Sequence, residues 1–162
     1  MDGALRNMAS VYITSRGKML MLYRIGSRVV SPCWCGIGGH FEKEELNNAK
    51  AAVLRELNEE IGLNEKDLTK IDLKYITLRY KDYEIRLNYY FFAELCENAA
   101  IQDYCNEGNI EWIDMDRVLN KEMPYTAKYV LEHYMKTGRY SDLTYCGVAQ
   151  KNGISFIELE EF

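Results

Sequence analysis

Glu56, Glu59 and Glu60 fall at i, i+3 and i+4 within RELNEEIGL, residues 55–63. On a helix this spacing puts three carboxylates on one face. At roughly 5–6 Å and an effective dielectric near 20, each ionised pair costs about 3 kcal/mol, an upper figure for exposed side chains. A basic partner or a divalent cation relieves that repulsion. Arg55 can reach Glu59 one turn on, which leaves Glu56 and Glu60 to hold a hard cation through oxygen ligands. The competing reading is a charge-rich helix face that only meets water.

The residues just before the helix favour the site. Gly38-Gly39 allows backbone to approach a ligand closely, and a glycine carbonyl there is a further oxygen ligand. His40, Glu42, Glu44 and Glu45 bring polar groups toward a helix N-terminus, where backbone N–H groups favour anions. Val53, Leu54, Leu57 and Ile61 form a separate core stripe, and Ala52 is small enough to leave room above Glu56.

Other elements must hold this helix in place. It is expected from about Asn48, an N-cap residue, to Ile61, with Gly62 as its C′ stop. ASVYIT and MLMLYR flank SRGK as a hairpin with Gly17 in the turn. From Arg24 a long loop region leads to the helix, with a short strand at Trp34–Ile37. IDLKYITLRY and YEIRLNYYFFAEL read as strands joined at Lys81-Asp82. In the second, Ile85, Leu87, Tyr89, Phe91, Ala93 and Leu95 alternate onto one face. NIEWID is a further strand, and DMDRVL begins a helical turn. PYTAKYVLEHYMKTG is a second helix, with Pro124 near its start and Gly138 at its end. The tail reads as a hairpin turning at Asn152-Gly153. The order implies an α/β chain, a mixed β-sheet flanked by helices, in one domain over residues 1–162.

The bulk numbers agree. A chain of 162 residues with 48% hydrophobic and 28% charged residues suits a globular protein with one core. A net charge of −5 argues against a nucleic-acid polymer as partner but not against a small polyphosphate accompanied by divalent cations. No apolar run approaches the roughly 20 residues that span a bilayer, and nothing at the N-terminus suggests export, so a cytoplasmic setting without a membrane is expected. Five scattered cysteines are expected to be reduced and mostly buried.

Together these residues resemble the Nudix hydrolase signature, G-x5-E-x7-R-E-U-x-E-E-x-G-U, with U a bulky aliphatic. Arg55, Glu56, Leu57, Glu59, Glu60, Gly62 and Leu63 match its second half. Gly39 and Glu45 match the first half, but nine residues rather than seven separate Glu45 from Arg55. The extra length is placed in the loop EELNN, where it leaves the helix in phase. Glu42, Glu44 and Glu45 then compete for the first acid position.

The resemblance implies a Nudix-type α/β/α sandwich and Mg²⁺ (or Mn²⁺) held by the Gly39 carbonyl, Glu56 and Glu60, with Glu59 and Glu107. It further implies attack of an activated water on a phosphorus, with Glu107, Glu59 or Glu56 as general base and Arg55 among the catalytic residues. Arg24, Gly38 and Trp112 are the implied substrate-binding residues. Arg24 has a surface-arginine alternative and Trp112 a core alternative. Glu107 lies in CNEGNIEW, which resembles the segment of MutT-type members that reaches back to the metal. The implied substrate is a nucleoside triphosphate, 8-oxo-dGTP or a related oxidised nucleotide. ADP-ribose, a dinucleoside polyphosphate or another linked nucleoside diphosphate is the alternative. A scaffold-sharing isomerase using Cys33 or Cys35 and a non-catalytic binding module are more distant readings. Oligomeric state is left open, a homodimer included.

Overall fold

The computed structural model describes residues 3–25, 31–102 and 105–161. The expected loop after Arg24 runs partly through residues 26–30, which lie outside the described residues.

Strands β1 (Ala4–Ser15) and β2 (Lys18–Arg24) form the expected hairpin. Gly17, at φ 76°, supplies the left-handed turn conformation that residues with a Cβ avoid. The single short strand expected at Trp34–Ile37 is instead two strands, β3 (Cys33–Cys35) and β4 (Ile37–His40). The break falls at Gly36, where a Cβ would lie 2.7 Å from the Val11 carbonyl oxygen. β3 pairs with β2, whereas β4 crosses to pair with β1. That crossing delivers Gly38-Gly39 to the helix that follows.

A 3-10 turn at Lys43–Glu45 precedes α1 (Ala49–Ile61). Asn48 caps α1 by accepting from the Ala51 amide at 3.1 Å, and Gly62 ends it at φ 73°. The two additional residues are therefore absorbed before the cap, and the helix keeps its phase.

β5 (Leu68–Lys81) and β6 (Glu84–Leu95) form the long antiparallel pair, turning at Asp82-Tyr83, one residue later than expected. β6 also runs parallel to β1. β7 (Gly108–Asp114) pairs with β2, and a 3-10 turn follows at Val118–Asn120. α2 (Tyr125–Lys136) begins after Pro124. It ends two residues before Gly138, which opens a separate 3-10 turn rather than stopping the helix. Gly138 is required there because a Cβ would collide with the Tyr75 hydroxyl. β8 (Thr144–Gln150) and β9 (Gly153–Leu159) turn at Lys151-Asn152, with Gly153 already in the strand.

These strands make one mixed sheet in the order β3-β2-β1-β6-β5-β8-β9, with β4 on β1 and β7 on β2. Val53, Leu57 and Ile61 of α1 pack with Ala9, Val11, Phe91 and Ala93 on one face. Ala127, Val130 and Leu131 of α2 pack with Tyr12, Tyr75, Tyr90 and Phe92 on the other. The fold is the expected α/β/α sandwich. The alternation in β6 gave only its α1 side. Tyr90 and Phe92, on the opposite side, are also buried because α2 covers them. All five cysteines are free, as expected, but only Cys33 and Cys105 are buried. No helix among the described residues is long and apolar enough to cross a membrane.

Asn48→Ala removes the cap that starts α1 and should cost about 1 kcal/mol, read as a lowered thermal midpoint. An unchanged midpoint would show that the cap does not set the helix start.

Candidate functional site

Burial divides the three glutamates of the helix. The Glu60 side chain is 6% exposed and Glu56 12%, whereas Glu59 is 57% exposed. Ala52, expected beside them on an open face, is fully buried. A freely solvated acidic face is therefore excluded by the packing of α1 on β4 and β1.

Arg55 neutralises more of this charge than the i, i+4 spacing indicates. Its Nη1 donates to Glu56 at 2.8 Å and to Glu59 at 3.0 Å. Nε and Nη2 donate to the two oxygens of Glu45 at 2.8 and 3.0 Å, and Nη2 also donates to the His40 carbonyl. The expectation that Glu56 is free of Arg55 is thus corrected: the guanidinium fork reaches both neighbours. Among the three competing loop acids, Glu45 faces Arg55 and is buried, and its carboxylate also accepts from the Glu42 amide at 2.9 Å. The Arg55 hydrogen bonds hold its pKa below the ordinary carboxylate value. Glu42 stands 4.0 Å from Arg55 and is exposed, and Glu44 is exposed.

Arg24 forms a second centre of positive charge. It donates to the Gly38 carbonyl at 3.1 Å, lies 3.7 Å from Glu60, and pairs with Glu107. It is not an unattached surface arginine, because its charge is already engaged by acids. Glu107 is held by its backbone as well, its carbonyl accepting from the Ile25 amide at 3.0 Å. The structure thus brings Arg24, Gly38, Gly39, Arg55, Glu56, Glu59, Glu60 and Glu107 into one connected cluster. Trp112 sits elsewhere: it pairs with Leu20 in β7 and packs partly buried against the α1-side core. Four residues of strand, about 13 Å, separate it from Gly108.

The link from Arg6 to His40, at 2.8 Å, was not legible in the sequence. It joins residues 34 apart, and only the register of β1 with β4 brings them together. The three contacts of Arg24 are non-local for the same reason.

Glu60 carries the most unusual electrostatics. Neither carboxylate oxygen has a well-formed hydrogen bond, although Arg24 and the Gly38 amide lie near. Burial pushes its pKa up to about 7, nearby Glu56 adds to the rise, and Arg24 opposes it. A buried carboxylate without hydrogen bonds is a strong acceptor for a hard cation. Gly39 lies against Glu56: a Cβ there would fall 2.5 Å from Oε1. Hard oxygen donors and a backbone held clear by glycine fit a divalent ion. Among the described residues no three His, Cys, Asp or Glu side chains form a ready cage. Burial raises the thiol pKa at Cys33 and pushes Cys35 up to about 12, which keeps both as unreactive thiols and weighs against a cysteine-dependent reaction.

A cleft of about 600 Å³ lies at the other end of α1, lined by Asn48, Ala49, Ile71, Leu73 and Phe91. It is distinct from the acidic cluster, which lies toward the C-terminal half of the helix.

The raised Glu60 pKa gives a signed prediction. Below about pH 4.5 the carboxyl is protonated in both folded and unfolded chains and has no effect on stability. Above about 7 the folded chain carries a buried charge, an order-of-magnitude cost of about 3 kcal/mol. Glu60→Gln should therefore raise the thermal midpoint of the metal-free protein at pH 8 and leave it nearly unchanged at pH 4. Equal effects at both pH values would contradict the buried-charge account.

Comparison with known proteins agrees with the fold. The NUDIX domain family model matches residues 4–134. The MutT protein of Bacillus halodurans superposes with a TM-score of 0.67 at 21% identity, covering 94% of this chain and 97% of its own. MutT of Methanosarcina mazei Go1 gives 0.69 at 18% identity, covering 84% and 96%. The NUDIX domain of Shewanella oneidensis NrtR, solved with ADP ribose, gives 0.64 at 15% identity, covering 87% and 90%. With the family model spanning most of its length and the acids of RELNEEIGL gathered on one helix face, the chain belongs to the Nudix hydrolase family and is MutT-like in fold.

Proposed function

We propose that this protein hydrolyses a nucleoside triphosphate, 8-oxo-dGTP or a related oxidised nucleotide, to the monophosphate and pyrophosphate in the cytoplasm. The observation that carries the reading is the pairing of buried, hydrogen-bond-poor Glu60 with Glu56 against the Gly39 backbone. Glu56, Glu60 and the Gly39 carbonyl would hold Mg²⁺ or Mn²⁺, with Glu59 and Glu107 near. Such an ion supplies positive charge to the phosphate oxygens and makes water more acidic.

The chain's own groups do the rest. Arg55 fixes Glu56 and Glu59 in place, so neither must be ordered when substrate arrives. Glu59 is the most open of the helix acids and keeps one oxygen clear of Arg55, which suits it to accept a proton from water; Glu56 and Glu107 are the other acceptors in reach of the cluster. Arg24 holds Glu107 and the Gly38 carbonyl, and can exchange an acid for a phosphate oxygen as substrate enters. Trp112 presents a half-buried aromatic surface for a base. The CNEGNIEW segment supports an oxidised nucleotide over another linked nucleoside diphosphate.

Incubation with Mg²⁺ and a panel of 8-oxo-dGTP, dGTP, ADP-ribose and dinucleoside polyphosphates tests this directly. Pyrophosphate should appear fastest from 8-oxo-dGTP, and Glu56→Gln should lower that rate by at least about 100-fold while the protein stays folded. Faster turnover of ADP-ribose would replace the substrate, and no turnover of any pyrophosphate compound would remove the enzyme reading.

A further inference from the structure

The sheet face that carries α1 is only partly covered, because α1 packs chiefly on β4 and β1. Register places Leu5 beside Ile85, Leu87 beside Leu78, and Leu78 beside Val148. Cys146 stands beside Ile157, and Thr144 beside Leu159. Directly paired residues share a face, so these apolar side chains lie on one face across β1, β6, β5, β8 and β9, with the uncharged polar Asn7 and Ser155 at the two ends of the Leu78 row. Leu5, Leu78, Tyr80, Val148, Ile157 and Leu159 are all exposed on it.

Charged side chains gather at one border of that region, where Lys70, Asp72, Lys74 and Asp142 line a cleft with Thr144. Other charges of the same strands, such as Arg6, Arg79, Arg86 and Glu158, alternate onto the opposite face. Two of the five strands, β8 and β9, lie beyond the residues matched to the family. A contiguous apolar patch of several hundred Å² with a polar rim marks an interaction surface.

We propose that this face is the contact between two copies of the chain, packed sheet on sheet about a two-fold axis. A surface this poor in charge offers little anchor to a charged segment, but it is complementary to itself. Five strands at about 4.8 Å spacing, over about five residues each, give a face of roughly 20 by 16 Å. Two such faces with their rims bury on the order of 1,000 Å², where specific interfaces begin. With the axis along β5, the middle strand of the five, Leu78 meets its own copy and β9 lies over the partner's β1. Leu5 and Ile157, the most exposed aliphatic side chains of the face at 64% and 60%, stand at its two opposite edges. The opposite edges of the patch cover each other.

Sedimentation equilibrium of the full chain at micromolar concentration, with circular dichroism alongside, tests the contact independently of any catalytic activity. The wild type should sediment as a dimer. Leu78→Arg combined with Ile157→Arg should weaken it by at least about 100-fold, since like charges then meet across the axis. Ser155→Arg, at an exposed position beside Val148, adds a charge without touching an apolar side chain and should weaken the dimer in the same direction. A monomeric wild type, or a dimer that persists undiminished in folded Ser155→Arg and in the double variant, overturns the proposal.

Discussion

The guanidinium of Arg55 is the interaction on which the candidate site depends. It donates to Glu45, Glu56, Glu59 and the His40 carbonyl, so one side chain ties the loop before α1 to the acidic face of α1. Arg55 is only partly exposed, and removing it would leave several carboxylates close together with no cation between them. Loss of one partner from a buried charge cluster typically costs several kcal/mol. The rigid, five-donor fork suits this task in a way that a lysine ammonium does not.

Around that centre the charges are arranged in two groups. Arg55 binds both oxygens of Glu45 and one oxygen each of Glu59 and Glu56. Arg24 stands on the inner side, near Glu60 and paired with Glu107. Between them Glu60 remains buried, short of hydrogen bonds and raised in pKa, so the protein carries a local destabilisation where a cation would relieve it. Strain of this kind fits a site whose stability is completed by binding. The sheet keeps this geometry rigid, since β2, β4 and β7, which bear Arg24, the double glycine and the start of the Glu107 segment, are paired into one sheet.

Much of this was legible in the sequence. Glu56, Glu59 and Glu60 announce a shared helix face by spacing alone, and Asn48 and Gly62 mark the ends of that helix by side-chain capping and left-handed backbone. Local rules of this kind also located both hairpins to within a residue. Legibility ended where contacts span the chain. Glu45 could not be separated from Glu42 and Glu44, because only the 3-10 turn at Lys43–Glu45 decides which acid faces Arg55. The engagement of Arg24 depends on strand pairing, and Gly36 reads as part of one short strand, Trp34–Ile37, until the crossing from β2 to β1 is seen. Burial on the second face of β6 was hidden for a related reason: Tyr90 and Phe92 do not identify the helix that covers them.

The central claim is that Glu60, with Glu56 and the Gly39 carbonyl, forms a divalent-cation site whose remaining acids are held by arginine. Calorimetric titration of the nucleotide-free protein with Mn²⁺ at neutral pH, comparing wild type with Glu60→Gln, tests it most directly. The account predicts that the wild type binds Mn²⁺ and that Glu60→Gln, still folded, binds at least about 10-fold more weakly. Equal affinity in the two proteins, or no binding by the wild type, would contradict it.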